Sequence, residues 1–332
     1  MKRKILYLLL AVLCLSGCGS PQTTVSESSK ESIEENKEEG RVTKEVTFTD
    51  ALGRRVTVDH PKRVAALLGS YAEIWHLAGG EVIASADDAW EDFQLPLPED
   101  AINLGMTKDL SLEKLFEANP DFVLASSNTK GNVEWLEILE SAGISVAYFE
   151  VNDFEDYLDM LKICTDITGH PELYEQNGLK IQAEIEEIIS GSKARIERNG
   201  KAPKVLSLRA SATYIRAKNS KNNILGEMLA ALGCVNIADS EESLLENLSV
   251  EQIIVEDPDF IFFVQQGDNE NGTKEHIERF ITENPAWSEL RAVKEGRVYL
   301  LEKELYALKP NDRWAEAYKG LEGILSNEQI SY

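Results

Sequence analysis

The sequence predicts an α/β protein of two similar lobes, each with a mainly parallel sheet, joined by a single long helix. Three observations predict it. Short β-rich runs alternate with helical stretches along most of the chain, the pattern of a parallel sheet covered by helices. A 13-residue stretch recurs without a gap, so that Leu110–Phe122 can be laid on Leu248–Phe260 at a constant offset of 138. Between the repeats, helical periodicity runs from about Pro171 to Arg198 with apolar residues at Leu179, Ile181, Ile185, Ile188 and Ile189. At 1.5 Å per residue that stretch would reach about 40 Å, the length of a lobe.

The 332 residues, 43% hydrophobic and 28% charged, hold enough apolar material for more than one domain. A formal charge of −24 opposes nonspecific attraction to phosphate backbones, so nucleic acid is not an expected partner. Four cysteines and four histidines (His60, His76, His170, His276) show no metal-ligand spacing, and no metal site is expected.

The amino terminus has basic residues up to Lys4, an 11-residue apolar run from Ile5 to Leu15, and then Ser16-Gly17-Cys18. The run is too short to span a bilayer. This pattern resembles a bacterial lipoprotein signal, which implies a signal peptide over residues 1–17 and lipidation of Cys18. Loss of the signal removes three cations and leaves a formal charge of −27. Residues 18–42 read as the lipidated cysteine and a flexible tether, since Gly19–Gly40 holds no aromatic residue and is rich in Ser, Thr, Glu and Lys. Two acyl chains anchor stably where one does not, so the protein is expected outside the cytoplasm, held to a lipid membrane through Cys18.

The N-terminal lobe is expected over residues 43–153. It opens with a hairpin, Val46–Thr49 and Arg55–Val58 around Gly53, followed by strands at Val64–Leu68, Val82–Ala84, Phe122–Ala125 and Val146–Phe149. A helix from Tyr71 to Ala78 ends at Gly79-Gly80, and His76 on it is expected to pack inward. The helical linker, residues 154–200, holds a first helix through Phe154, Leu158, Leu161 and Ile167, broken at Gly169-His170-Pro171. The C-terminal lobe, residues 201–332, carries strands at Val205–Leu208, Phe260–Val264 and Val298–Leu301 and a helix from about Ile224 to Leu232. Cys164 and Cys234 read as small buried residues without a disulfide.

In each repeat a Ser suits the N-cap, an acid follows in the positive first turn, and Pro-Asp releases the chain into a buried strand. With the hairpin Phe48–Arg54, Pro61-Lys62-Arg63-Val64, Asn284-Pro285-Ala286-Trp287 and Ala292–Tyr299, these segments resemble the periplasmic-binding-protein-like receptors of ABC importers for iron-siderophores, haem and cobalamin. The resemblance covers the chain beyond the tether. It implies a monomeric receptor with no cofactor of its own, which captures a metal chelate and delivers it to an ABC permease and its ATPase. It also implies that Glu113 and Glu251, matched in the two repeats, dock on arginines of the permease. A naked metal ion is disfavoured by the histidine pattern. A stiff linking helix implies small hinge motions.

Ligands of open α/β sheets sit beyond the carboxyl ends of the strands. That rule selects Tyr71 and Trp90 in lobe one, and Arg209, Tyr214, Tyr306, Lys309, Arg313 and Trp314 in lobe two; Met106 and Lys108, ahead of the repeated helix, are added as residues expected to face the cleft, and Arg216 from a run of cations around it. From Lys201 to Lys221 there are six cations and no acid. Arg209 and Arg216 suit an anionic chelate, whereas Lys201, Lys204 and Lys221 read as solvated charges. A ferric siderophore is the first expectation for the ligand, then haem, then cobalamin. The competing class, a lipid-anchored hydrolase, lacks a Gly-x-Ser-x-Gly elbow, a phosphate loop and a His-Glu-x-x-His motif, so no catalytic residue is named.

Overall fold

The structure is a computed structural model that describes residues 45–240, 244–245, 249–267 and 269–326. The signal, Cys18 and the tether lie outside the described residues, as does Leu248 at the head of the second repeat.

Strands β1 (Val46–Thr49) and β2 (Arg55–Val58) pair antiparallel, with Val46 opposite Val58. Their turn is built on Asp50, whose carboxylate accepts the Leu52 and Arg54 amides and pairs with the Arg54 guanidinium at 2.6 Å. Arg54 also donates to Val146 O, and the Ala51 amide to Tyr148 O, which fastens the hairpin to lobe one.

Lobe one is a five-stranded, all-parallel sheet. Its strands are β3 (Val64–Ala66), β4 (Val82–Ser85), β5 (Ile102–Asn103), β6 (Phe122–Ser126) and β7 (Ser145–Phe149), in the order β5-β4-β3-β6-β7. The order reverses at β3, so the crevice beyond its carboxyl end is a topological switch point. Lobe two holds β8 (Lys204–Ala210), β9 (Ile215–Lys218), β10 (Val235–Asn236), β11 (Phe260–Gln265) and β12 (Val298–Leu301). Its path is β10-β8-β11-β12, all parallel, and β9 lies antiparallel on the carboxyl half of β8. The short β5 and β10 are too brief to leave a periodic signal in the sequence. β6 and β11 are buried along their whole lengths, which is why they read as unbroken apolar runs.

The linking helix runs from Pro171 to Asn199: an α-helical turn Pro171–Tyr174, a π-helical turn Glu175–Leu179, then an α-helix Lys180–Asn199. Pro171 sits where a missing amide costs nothing. In the π-turn, Gly178 lies so close to the preceding helix, Phe154–Thr168, that a Cβ would meet Leu158 at 3.0 Å. The final helix, Trp314–Ser326, lies along the linker, with Arg195 and Glu322 joined by two hydrogen bonds of 2.7 and 2.9 Å.

Three apolar cores result. One face of the lobe-one sheet packs around Leu115, Val123 and Tyr148, and one face of the lobe-two sheet around Leu208, Ile253 and Phe263. The opposite faces of both sheets share a single cluster with the linking and terminal helices, including Phe122, Leu161, Ile185, Phe260, Phe262 and Leu321. Cys164 is buried there as a free thiol, and Cys234 is half-buried and also free. His76, expected inside, faces solvent, because Ile74, Trp75 and Ala78 take the inward positions of its helix.

The duplication is visible in backbone detail. Helices Leu112–Ala118 and Val250–Glu256 are each capped by a serine, Ser111 accepting the Lys114 amide and Ser249 the Gln252 amide. Each exits through a left-handed residue, Asn119 (φ 49°) and Asp257 (φ 42°), types that tolerate that conformation. Asp121 then accepts the Lys62 and Arg63 amides ahead of β3, and Asp259 the Lys204 amide at the head of β8. An arginine reaches the exposed helix-end carbonyls in both lobes, Arg63 to Asn119 O and Arg291 to Asp257 O.

Candidate ligand cleft

The carboxyl end of β3 runs into the helix Gly69–Leu77, whose first amide donates to Asp88 Oδ1 at 2.8 Å. Gly69 is required there, since a Cβ would lie 2.5 Å from the Ala89 nitrogen. Burial pushes the Asp88 carboxyl up to about 6, opposed by the Gly69 amide and by Lys309. Lys309 is half-buried, its ammonium 5.7 Å from the centre of the Tyr71 ring. Burial lowers its pKa; Asp88 acts against that change and Arg209 of lobe two adds to it. Lys309 is therefore within electrostatic reach of both Asp88 and Arg209.

Arg209 stands on β8 directly opposite Arg216 on β9, and Ser207 opposite Lys218. Because strand side chains alternate, Arg209, Arg216 and Lys218 share one face, while Leu208 and Ala217 point into the core on the other. Like charges set directly across a ladder destabilise it. Burial lowers the Arg209 pKa, and burial followed by the two arginines lowers that of Lys218. Arg216 lies over the Tyr214 ring at 5.1 Å. Among the described residues, no carboxylate forms an ion pair with Arg209, Arg216, Lys218 or Lys309. The neighbouring Lys201 and Lys204 are paired, with Asp259 at 3.4 Å and Glu256 at 2.8 Å.

Two contacts that the sequence reading missed join the lobes beside this wall. Lys303, just past β12, pairs with Asp92 at 2.8 Å at the edge of a cavity of about 370 Å³ that Gln265 also lines. Asn311, buried in a left-handed conformation, donates to Ser70 O at 3.0 Å and to Glu73 Oε2 at 2.5 Å. Burial drives the Glu73 carboxyl up to about 7, against the lowering effect of that hydrogen bond. Lys303 was legible in principle as a residue immediately after a strand. Asn311 left no such signal.

The expected site residues divide into three groups. Met106 is 62% exposed, Lys108 is exposed and Trp90 is half-buried, all beyond strand ends of lobe one. Arg209, Tyr214, Arg216 and Lys309 gather as described. Tyr71, Tyr306 and Trp314, expected at the cleft, are buried in the structure, at 1, 6 and 0% exposure. Tyr71 donates to Phe149 O, Tyr306 to Ala317 O, and Trp314 packs edge-on against Phe154. Their apolar area is worth more in the core than at the rim. Arg313 is forked onto Glu316 by two 2.8 Å hydrogen bonds.

A larger groove, about 660 Å³, lies between Glu150 and Asn152 of lobe one and Asn222 and Glu227 of lobe two. It is lined by Asp153, Asp156 and Asp159 against one cation, Lys162, and so repels an anion.

A two-lobed α/β body with its cleft at strand ends defines a solute-binding protein. The periplasmic binding protein family profile matches residues 64–305, and the chain belongs to that family. It is the extracytoplasmic binding component of an ABC importer, a non-catalytic class, related to receptors for iron chelates. It is 26% identical over 303 residues to the Fe(3+)-citrate-binding protein YfmC of Bacillus subtilis (strain 168), covering 90% of this chain and 88% of that protein. It is 28% identical over 313 residues to the iron-uptake system-binding protein of the same organism, covering 90% and 91%. The fold matches that of Staphylococcus aureus SirA, solved in complex with staphyloferrin B, with a TM-score of 0.67 at 18% identity over 85% of this chain and 98% of that one.

Proposed function

We propose that this protein captures an anionic iron chelate, a ferric siderophore rich in carboxylate groups, and delivers it to an ABC permease and its ATPase. The observation that carries the reading is the unpaired cationic face of Arg209, Arg216 and Lys218, with Lys309 within electrostatic reach of Arg209, in a chain of formal charge −24. Such a wall is electrostatically unfavourable until an anion fills the cleft, and guanidinium groups pair bidentately with carboxylates. Tyr214, Trp90, Met106 and Lys108 would flank the chelate. Its relatives, named for ferric citrate and for iron uptake, support the same ligand class. The basic start, short apolar run and Cys18 support a lipid-anchored receptor on the outer face of the membrane.

The test is fluorescence quenching of the purified folded body by ferric citrate, ferric staphyloferrin B, haemin and cyanocobalamin. A ferric carboxylate chelate should bind, and Arg209→Glu should weaken it about 100-fold or more. Lys201→Glu, which reverses a cation already paired with Asp259, should change chelate affinity less than about twofold. Equal binding by wild type and Arg209→Glu refutes the cationic wall, and selective binding of cyanocobalamin refutes the ligand class.

A further inference from the structure

We propose that Phe116 and Ile254 are paired apolar anchors which, each beside an acid, dock this receptor on the two halves of its permease. The inference rests on the importer reading and goes beyond the two acids. Phe116 and Ile254 occupy the same place in the two repeats, at the offset of 138 that also relates Glu113 to Glu251. Both are exposed, at 40 and 39%, although the residue just before each, Leu115 and Ile253, is fully buried. The core slot of each helix is thus filled, and neither Phe116 nor Ile254 is needed to fill it. Glu113 and Phe116, like Glu251 and Ile254, are three apart on a helix and share a face about 5–6 Å apart.

A single exposed apolar side chain is ordinary and needs no explanation. The matched recurrence does. Among the described residues nine large apolar side chains are exposed, and Phe116 with Ile254 is the sole pair of them related by the repeat offset. A surface that presents an acid and an apolar knob once per lobe is complementary to a partner that offers a cation and an apolar recess twice. A permease of two like halves would supply that repetition. The patches are matched without being identical: Val255, 74% exposed, stands where lobe one has Glu117, so the lobe-two patch is the more apolar. In such an arrangement the acids steer the encounter and the desolvated apolar contacts hold it.

The experiment places a photo-crosslinking phenylalanine analogue at 116, at 254 and, as control, at Ile138, which is 44% exposed but has no repeat counterpart. The full-length protein is irradiated in its own cells, and crosslinked partners are identified by mass spectrometry. Crosslinks from 116 and 254, but not 138, to polytopic permease subunits are expected. The permease so identified is then reconstituted in liposomes with its ATPase. The Phe116→Ser, Ile254→Ser double variant should need about tenfold or more receptor for half-maximal stimulation of ATP hydrolysis. Its thermal midpoint and ferric citrate affinity should stay at the wild-type values. Crosslinks to a second copy of this chain, equal crosslinking from 138, or an unchanged half-saturation overturns the anchors and leaves the importer reading standing. Failure of the wild-type receptor to crosslink to, or stimulate, any permease overturns both.

Discussion

The two lobes are one design used twice, and they differ where chemistry is needed. Lobe one and lobe two share a serine-capped helix, a left-handed exit at Asn119 or Asp257, and an aspartate that collects backbone amides at the head of a neighbouring strand. These parts satisfy main-chain hydrogen bonds that would otherwise be orphaned, so they resist divergence. The strand ends carry fewer such obligations, Asp88 on the Gly69 amide being one. Lobe one presents Asp87, Asp88 and Asp92 there, whereas lobe two presents Arg209, Arg216 and Lys218. A framework held by backbone bookkeeping leaves its loops free to acquire opposite charges, and the cleft between them becomes polarised.

The sharpest way to test the equivalence of the lobes is to hollow out both outer cores. Leu115→Ala and Ile253→Ala remove matched, fully buried side chains, and each should cost about 2–5 kcal/mol of unfolding free energy, read from urea titrations. Because both sheets also pack on one shared cluster, each variant should still unfold in a single transition. Two resolved transitions would show that the lobes melt independently and that the shared cluster does not couple them.

A smaller effect separates the lobes by pH. Asp88 has its folded pKa raised by burial from the model-compound value of 3.8 to about 6, so the native state binds more protons than the unfolded chain between those values. Its contribution therefore weakens the fold as pH rises from about 4 to about 6 and is constant above that. Glu73, raised to about 7 from 4.5, acts in the same direction over a window reaching neutrality. Thermal midpoints of wild type and of Asp88→Asn, measured from pH 4 to pH 8, should therefore diverge in slope below pH 6. Parallel curves would show that Asp88 is not desolvated by the cleft.

The smallest expected difference is at the caps. Ser111→Ala and Ser249→Ala should each cost about 1 kcal/mol, equal within error if the helices are held alike. A loss confined to one of them in chemical denaturation would mark where the repeats have diverged in mechanics.

Much of this was legible from residues that act locally. Val298–Leu301 and the hairpin strands coincide with alternating or continuous apolar runs, Pro171 starts the linking helix, and the constant offset of 138 exposed the duplication. Each is decided within a few residues of chain, by side-chain period, by a cap or by a missing amide. The charge run from Lys201 to Lys221 was legible too, but not which of its members are spent. Lys201 and Lys204 are neutralised by Asp259 and Glu256, more than fifty residues away, while β9 folds Arg216 back onto Arg209.

The sequence by itself determined the order of the longer strands and helices, though not the short β5, β9 and β10, together with the two-lobe plan and the linking helix, because periodicity and capping depend on neighbours along the chain. Only the tertiary structure decided that Tyr71, Tyr306 and Trp314 fill the core, that Arg313 turns to Glu316, and that Arg209 and Lys309, both without a carboxylate partner among the described residues, come within electrostatic reach. Aromatic residues carry the same signature at a rim as in a core. Their fate is set by the apolar surface that distant segments bring to them, as Phe154 does for Trp314.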